Sequence, residues 1–250
     1  MNRRDLMKMV SGSALAAAAS AVVGAGRAEA EVIEAEQAVQ NAEAGVCGNK
    51  ERVKMKKYTN ADFYKDGVFQ ESVAFQAYYE MFEGFGYSLT DFMKGNPEFW
   101  VIDFGLGDFE HVGMGGIIWF NNKDFRYFGH DIYLLPGQMI AEHFHLAAED
   151  MPAKHESWQV RHGSIFNFSH GGEKKPSVLA MLPESQLADD AITCFNFKEM
   201  NVGDRDVLSA IGEPHFMMGG SQGAIVTEYA CWHSGKGLNF TNKKISASVG

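Results

Sequence analysis

PGQMIAEHFH, running from Pro136 to His145, leads through LAAEDMPAKH (146–155) into ESWQVRHG, from Glu156 to Gly163. Along a β-strand successive side chains point to opposite faces, so His143 and His145 fall on one face while Phe144 packs the other way. Two neighbouring imidazoles on one face can hold a single ion between them. A His-x-His pair alone is common on surfaces. This one stands in a frame, Gly-x5-His-x-His upstream and Glu-x6-Gly downstream, and the frame gives it weight.

Outward from this segment, after Asn96-Pro97, come short β-type runs broken by Gly, Asn and Asp: FWVIDFG, GGIIWF, DIYLLPG, SWQVRHGSIFNF, SVLAML, AITCFNF and AIVTEYA. Such runs at short spacing indicate an antiparallel sandwich or closed barrel rather than alternating β/α units. Before them, from Tyr58 to Phe92, aromatic residues recur three and four apart. That spacing predicts one or two amphipathic helices whose Phe/Tyr stripe is core packing. The 250 residues are 46% apolar, enough to bury a sizeable core. One domain is expected over 58–250, with its helical part first.

The frame around His143 and His145 resembles the first motif of the cupin family residue for residue, apart from a longer insert before the glutamate. The resemblance implies a mainly β fold, a cupin-type antiparallel β-barrel (jelly roll) behind the N-terminal helices, with both histidines and the glutamate facing its lumen around one divalent metal. It also implies a fourth ligand, a histidine from a later strand, and Gly212-Glu213-Pro214-His215 supplies one. The carboxylate is Glu156 or Glu149. Glu156 has the strand-like surroundings and the Glu-x6-Gly spacing, whereas Glu149 sits in the Glu149-Asp150 pair of a lid-like loop. A set of His143, His145, Glu156 and His215 accepts Mn²⁺, Fe²⁺, Co²⁺, Ni²⁺ or Zn²⁺. The resemblance favours Mn²⁺.

Within the cupins the chain is most similar to the sugar-isomerase branch, the D-lyxose ketol-isomerase-like proteins. The residues that carry this are Asp103-Phe104-Gly105-Leu106-Gly107-Asp108-Phe109-Glu110, LLPGQ before His-Phe-His, Lys154-x-Glu156, and Ala224-Ile225-Val226-Thr227-Glu228-Tyr229. The resemblance implies interconversion of an aldose and a ketose through an enediolate, with the acid/base work on Lys154 and Glu228. Lys154 stands two residues before Glu156 and shares its face if the strand already begins there. A divalent cation close by is expected to lower the lysine's pKa toward useful basicity. The insert after His145 and the tail CWHSGKGLNFTNKK depart from the family pattern, so the sugar itself stays open. Two rivals share the ligands: an Fe²⁺ cupin dioxygenase and a non-catalytic periplasmic sugar or acid binder. Lys154 with Glu228 separates them, because an oxygenase prefers an apolar pocket and a binder needs neither group. His162 shares strand parity with Glu156 yet precedes the turn glycine. His111, His130, His155, His170 and His233 lack partner spacing and read as surface or hydrogen-bonded core histidines.

The first thirty residues, MNRRDLMKMVSGSALAAAASAVVGAGRAEA, combine Arg3-Arg4, a small and apolar run, and an Ala28-Glu29-Ala30 cleavage pattern. This resembles a twin-arginine export signal and implies a periplasmic protein. The apolar run is short of the ~20 residues that span a bilayer, so cleavage is expected rather than stable membrane insertion. Residues 31–57 read as a flexible linker. Without the signal the chain carries 18 basic against 30 acidic residues, a balance that disfavours nucleic acid and polyanionic ligands. Cys47, Cys194 and Cys231 are too scattered for a disulfide scaffold and read as free thiols. Twin-arginine export moves folded proteins, so the metal is expected to be captured in the cytoplasm, which suits Mn²⁺. A homodimer is expected.

Overall fold

Within the 58–92 stretch the dipeptide Asp66-Gly67 overrides the helical spacing. In the computed structural model, which describes residues 56–148, 151–188 and 191–245, Asp66 and Gly67 take φ of 52° and 77°. They form the two-residue turn between β1 (Tyr64–Lys65) and β2 (Val68–Phe69). An Asp-Gly pair with both φ positive matches the twist of a tight hairpin. The expected helices are therefore split. A single turn, α1 (Asn60–Phe63), precedes the hairpin, and α2 (Glu71–Phe85) and α3 (Asp91–Gly95) follow it. Helix α2 buries Ala74, Ala77, Tyr78, Met81 and Phe82, the face that a 3.6-residue period generates. It ends at Gly86, whose φ of 66° lets its N–H and that of Tyr87 reach back to the carbonyls of Glu83 and Phe82.

The remaining strands are β3 (Phe99–Ile102), β4 (Met114–Asn122), β5 (Tyr127–Leu134), β6 (His143–His145), β7 (Glu156–Ser169), β8 (Asn196–Asn201), β9 (Arg205–Val207), β10 (His215–Ala230) and β11 (Leu238–Phe240). They form one antiparallel sheet in the order β11-β6-β10-β5-β4-β3, with β7 on the other edge of β10 and β8 and β9 on β7. Strand β10 is the spine. Its first residue pairs with β6, residues 224–230 pair with β5, and β7 runs beside it from Ser169 to Glu156. A strand shared this way curls the sheet, giving the half-barrel of a cupin-type jelly roll. The run SVLAML departs from the strand expectation. Pro176 starts a short helix, α4 (Pro176–Leu179), where its missing N–H costs nothing. AITCFNF enters a strand only at Asn196. A further short helix, α5 (Glu184–Leu187), lies between them.

Alternation along β5 and β10 separates two cores. Ile132, Leu134, Ala224 and Val226 point into the curl, where they meet Trp158, Val160 and Phe216. Tyr133 and Ile225 point outward and pack with Phe99 and Ile117 under α2. There the rings of Phe82 and Tyr133 meet edge to face at 4.5 Å. Because α2 seals that outer face, β5 is buried on both sides from Phe128 onward. Cys194 and Cys231 are free thiols. The export-signal and most of the linker segments, Cys47, Glu149 and Asp150 lie outside the described residues.

Gly163, the last residue of the Glu-x6-Gly frame, sits where the pairing of β7 with β10 breaks register. Its φ is 68°, and a Cβ placed there would lie 2.0 Å from the carbonyl oxygen of Gly223. Gly163→Ala is therefore expected to destabilise the fold by about 2–4 kcal/mol, combining left-handed strain with a backbone clash. Denaturant midpoints of the two proteins measure it.

Candidate active site

The strand pairing assembles the histidines. On β6, His143 lies opposite His215 of β10 on one side and Phe240 of β11 on the other, while His145 lies opposite Leu238. Ring centroids of His143 and His215 are 4.4 Å apart, and those of His143 and His145 5.3 Å. Glu156 opens β7 and reaches the same point, so that one candidate ligand atom from each of His143, His145, Glu156 and His215 lies within 4.8 Å of the others. Two backbone carbonyls set the rings. His143 Nδ1 donates to Ala141 O at 3.0 Å and His215 Nδ1 to Glu213 O at 2.8 Å, leaving the Nε2 atoms free to act as ligands.

Glu156 Oε1 is 3.4 Å from His145 Nε2 and 2.7 Å from His215 Nε2. Neither contact has the alignment of a hydrogen bond, and all three atoms are buried without a hydrogen-bond partner among the described residues. Leaving such a group unpaired costs about 1–3 kcal/mol. A divalent cation between them would satisfy all three at once, so the residues present fit a metal. Burial, opposed by the charge of Glu156, pushes His143 and His145 down to about 3 and about 2, which keeps both neutral as ligands must be. Burial alone would raise Glu156, but the Lys154 charge and His215 hold it well below the usual carboxylate range.

Beside this cluster lies a buried ion-pair chain. Lys154, just before β7, places Nζ 2.8 Å from Glu156 Oε2 and in contact with Glu228 Oε1. Its ammonium also rests over the Phe128 ring, 4.7 Å from the centroid. Glu228 on β10 faces His130 of β5 in register, and its Oε2 is 3.0 Å from His130 Nε2. The chain's own groups act on the lysine in the direction opposite to that of a cation. Burial would lower its pKa, but two carboxylates outweigh burial and raise it. The charged form of Lys154 is thus favoured by its two carboxylate partners, Glu156 and Glu228.

A second buried carboxylate steadies the first histidine strand. Glu142, fully buried, accepts hydrogen bonds from the Thr193 and Cys194 amides at 2.8 and 2.9 Å and from the Thr193 and Thr241 hydroxyls at 2.7 Å each. It ties the start of β6 to two separate loops.

The cluster and the ion-pair chain open into one cavity of about 560 Å³. Its walls include Trp100, Phe104, Phe128, Trp158 and Phe240, and the exposed Glu71 and Glu98 and half-buried Asp103 add carboxylates. Lys154 is the one cation among the described residues that line it, and it is already paired with two acids.

No protein-family model matches the chain. Curated relatives do. The D-lyxose/D-mannose isomerase of Thermosediminibacter oceani is 29% identical over 170 residues, covering 67% of this chain and 88% of that protein. The D-lyxose ketol-isomerase of Cohnella laeviribosi is 31% identical over 166 residues, covering 66% of this chain and 87% of that protein. The chain belongs to the D-lyxose ketol-isomerase family. Solved structures agree on the fold of this family member. The L-ribose isomerase of Cellulomonas parahominis superposes with a TM-score of 0.52 at 14% identity, over 70% of this chain and 93% of that one. That of Acinetobacter sp. DL28 gives 0.50 at 14% identity, over 68% and 90%.

All six residues singled out from the sequence, His143, His145, Glu156, His215, Lys154 and Glu228, therefore line or adjoin one cavity. His162 does not approach it. The pairing of β7 with β10 shifts between Val160 and His162, and His162 turns outward to stack on Phe85, 5.6 Å between centroids. Two histidines read as lacking partners also line the cavity: His130, hydrogen-bonded to Glu228, and His233, held through its backbone by two hydrogen bonds to Asn121. No spacing in the sequence marks them. Only the β5–β10 register and the turn after β10 bring them in.

Proposed function

We propose that this protein is a divalent-metal-dependent aldose–ketose isomerase acting on a small, unphosphorylated sugar of the D-lyxose type. The observation that carries the reading is the meeting, in one cavity, of a three-histidine, one-carboxylate cluster with the buried Lys154–Glu228 pair. Family membership supports the reaction class. A dioxygenase or a simple binder with the same ligands has no use for a buried, precisely opposed acid and base. Mn²⁺ is the proposed ion on the resemblance of the motif, although the ligand set admits its neighbours in the series.

His143, His145, Glu156 and His215 would hold the ion, which when bound would polarise adjacent sugar oxygens and stabilise negative charge on them. The chain's own groups move the protons. The Glu228 carboxylate takes the proton from C-2, and the Lys154 ammonium gives one to the carbonyl oxygen at C-1, producing the enediol. Lys154 then recovers a proton from the hydroxyl on C-2, and Glu228, its proton exchanged with solvent during the life of the enediol, protonates C-1, leaving the ketose and both side chains as they began. The aromatic walls suit the C–H faces of a sugar. Twin-arginine export to the periplasm is proposed on the N-terminal sequence alone.

Cavity charge sets the substrate class. With Glu71, Glu98 and Asp103 lining it and no unpaired cation among its described lining residues, a phosphate group would meet repulsion and no partner. A panel of free pentoses and hexoses, and their phosphates, incubated with Mn²⁺-loaded protein in D₂O, is the test. Ketose carrying deuterium at C-1 is expected from at least one free aldose and from none of the phosphates. Oxygen uptake without isomerisation would overturn the reading in favour of an oxygenase.

A further inference from the structure

We propose that His130 is a positioning residue for Glu228, fixing the carboxylate in the orientation from which it exchanges a proton with the sugar carbon. The inference rests on the assignment of Glu228 as proton carrier. Strand register places the two side by side: His130 of β5 is the cross-strand partner of Glu228 on β10, and both side chains point into the curl. Glu228 is gripped at both oxygens, Oε1 by Lys154 and Oε2 by His130 Nε2 at 3.0 Å. An ionised carboxylate only accepts, so Nε2 carries the proton in that contact. With both oxygens held, the carboxylate plane cannot swing, and a base must be fixed to within about 0.5 Å to work well.

The imidazole is itself wedged. Phe128 lies 4.8 Å from its centroid and Trp100 6.4 Å, and His130 is 7% exposed. Its Nδ1 is buried and has no hydrogen-bond partner among the described residues, so no second protein group there fixes the tautomer or competes for the ring. Lys154 alone would not suffice as a holder, because its ammonium is shared with Glu156 at 2.8 Å. His130 is the contact that belongs to Glu228 only.

Three variants, loaded with Mn²⁺ and assayed on an accepted free aldose, test this. His130→Leu removes the donor and is expected to lower kcat by about 10- to 100-fold, the range for losing a group that orients a reactive side chain, with KM within about twofold and metal content unchanged. His130→Gln can still present an N–H toward Oε2 and is expected to recover most of that loss. Should the leucine protein fail to fold, His130→Asn, too short to reach Oε2, takes its place. Wild-type kcat in the leucine or asparagine protein overturns the proposal, as does a glutamine protein no faster than either. Glu228→Gln run in parallel separates the two levels. If it is inactive while His130→Leu is fully active, only the positioning role falls; if it is itself fully active, the assignment of Glu228 falls with it.

Discussion

Glu228→Gln is expected to bind metal as the wild type does and to lose turnover by about 10²- to 10⁴-fold, the usual range for a missing acid/base group. Glutamine keeps the shape of the side chain but cannot carry the carbon-bound proton. The substitution is also the least disruptive available. Truncating one member of a buried ion pair strands the other charge at a cost of about 3–5 kcal/mol. Here Lys154 keeps its contact with Glu156 Oε2 at 2.8 Å, and the glutamine carbonyl can still face it. A fall in kcat and kcat/KM together, with unchanged KM and metal content, identifies a group that acts only in the transition state. The same protein in D₂O should incorporate no label over the time in which wild type labels C-1. Full turnover by Glu228→Gln, with unlabelled product from the wild type, would remove this glutamate from the proton path.

How far the sequence carries the site depends on the range of each contact. His143 and His145 are related by strand parity, and parity is local, so their common face was legible from three residues. Glu156 follows from the spacing to Gly163, a position whose φ of 68° explains why the frame ends in glycine. The contact between Lys154 and Glu228 spans 74 residues, and no local pattern states it; family resemblance named both residues, but not that they touch or that Glu228 is shared with His130. Glu156 and Glu228 together raise the Lys154 pKa, a pull opposite to that expected from a cation, and no local pattern places both carboxylates against it.

Where the local reading failed, a different local rule or a register shift had won. Aromatic spacing from Tyr58 onward is helical in α2, yet Asp66-Gly67 nucleates a hairpin ahead of it. SVLAML has the composition of a buried strand, but a short apolar run does not distinguish strand from helix, and Pro176 at its head decided for a helical turn. His162 keeps parity with Glu156 on paper, yet its place before the turn glycine marks it as no ligand, and it does stay outside the lumen. The irregular pairing opposite Ile225 and Val226 shifts the count by one, and one residue is enough to turn a side chain to the other face.

Alanine at any of His143, His145, Glu156 or His215 is expected to reduce metal affinity by more than about 100-fold, beyond what loss of a merely supporting contact does, and activity with it. Each substitution leaves at most three ligands at a site where His145 Nε2, Glu156 Oε1 and His215 Nε2 are buried without a hydrogen-bond partner among the described residues. Metal analysis after gel filtration reads the loss directly, and thermal melting reads it independently of catalysis. A ligand present at 100 times its Kd stabilises the folded state by about 2.7 kcal/mol. Chelation should therefore lower the wild-type melting temperature by several degrees and leave the four variants unmoved. Glu156→Ala is the severest case, because Lys154 then keeps Glu228 alone and the buried chain is left with one carboxylate fewer. Glu156→Gln relieves that problem by restoring a polar partner for the ammonium, and it is expected to fold better than the alanine variant while still binding metal poorly. Glu149→Ala should retain metal. A Glu156→Ala protein with its full complement of metal, or a Glu149→Ala protein without any, would transfer the carboxylate role to Glu149.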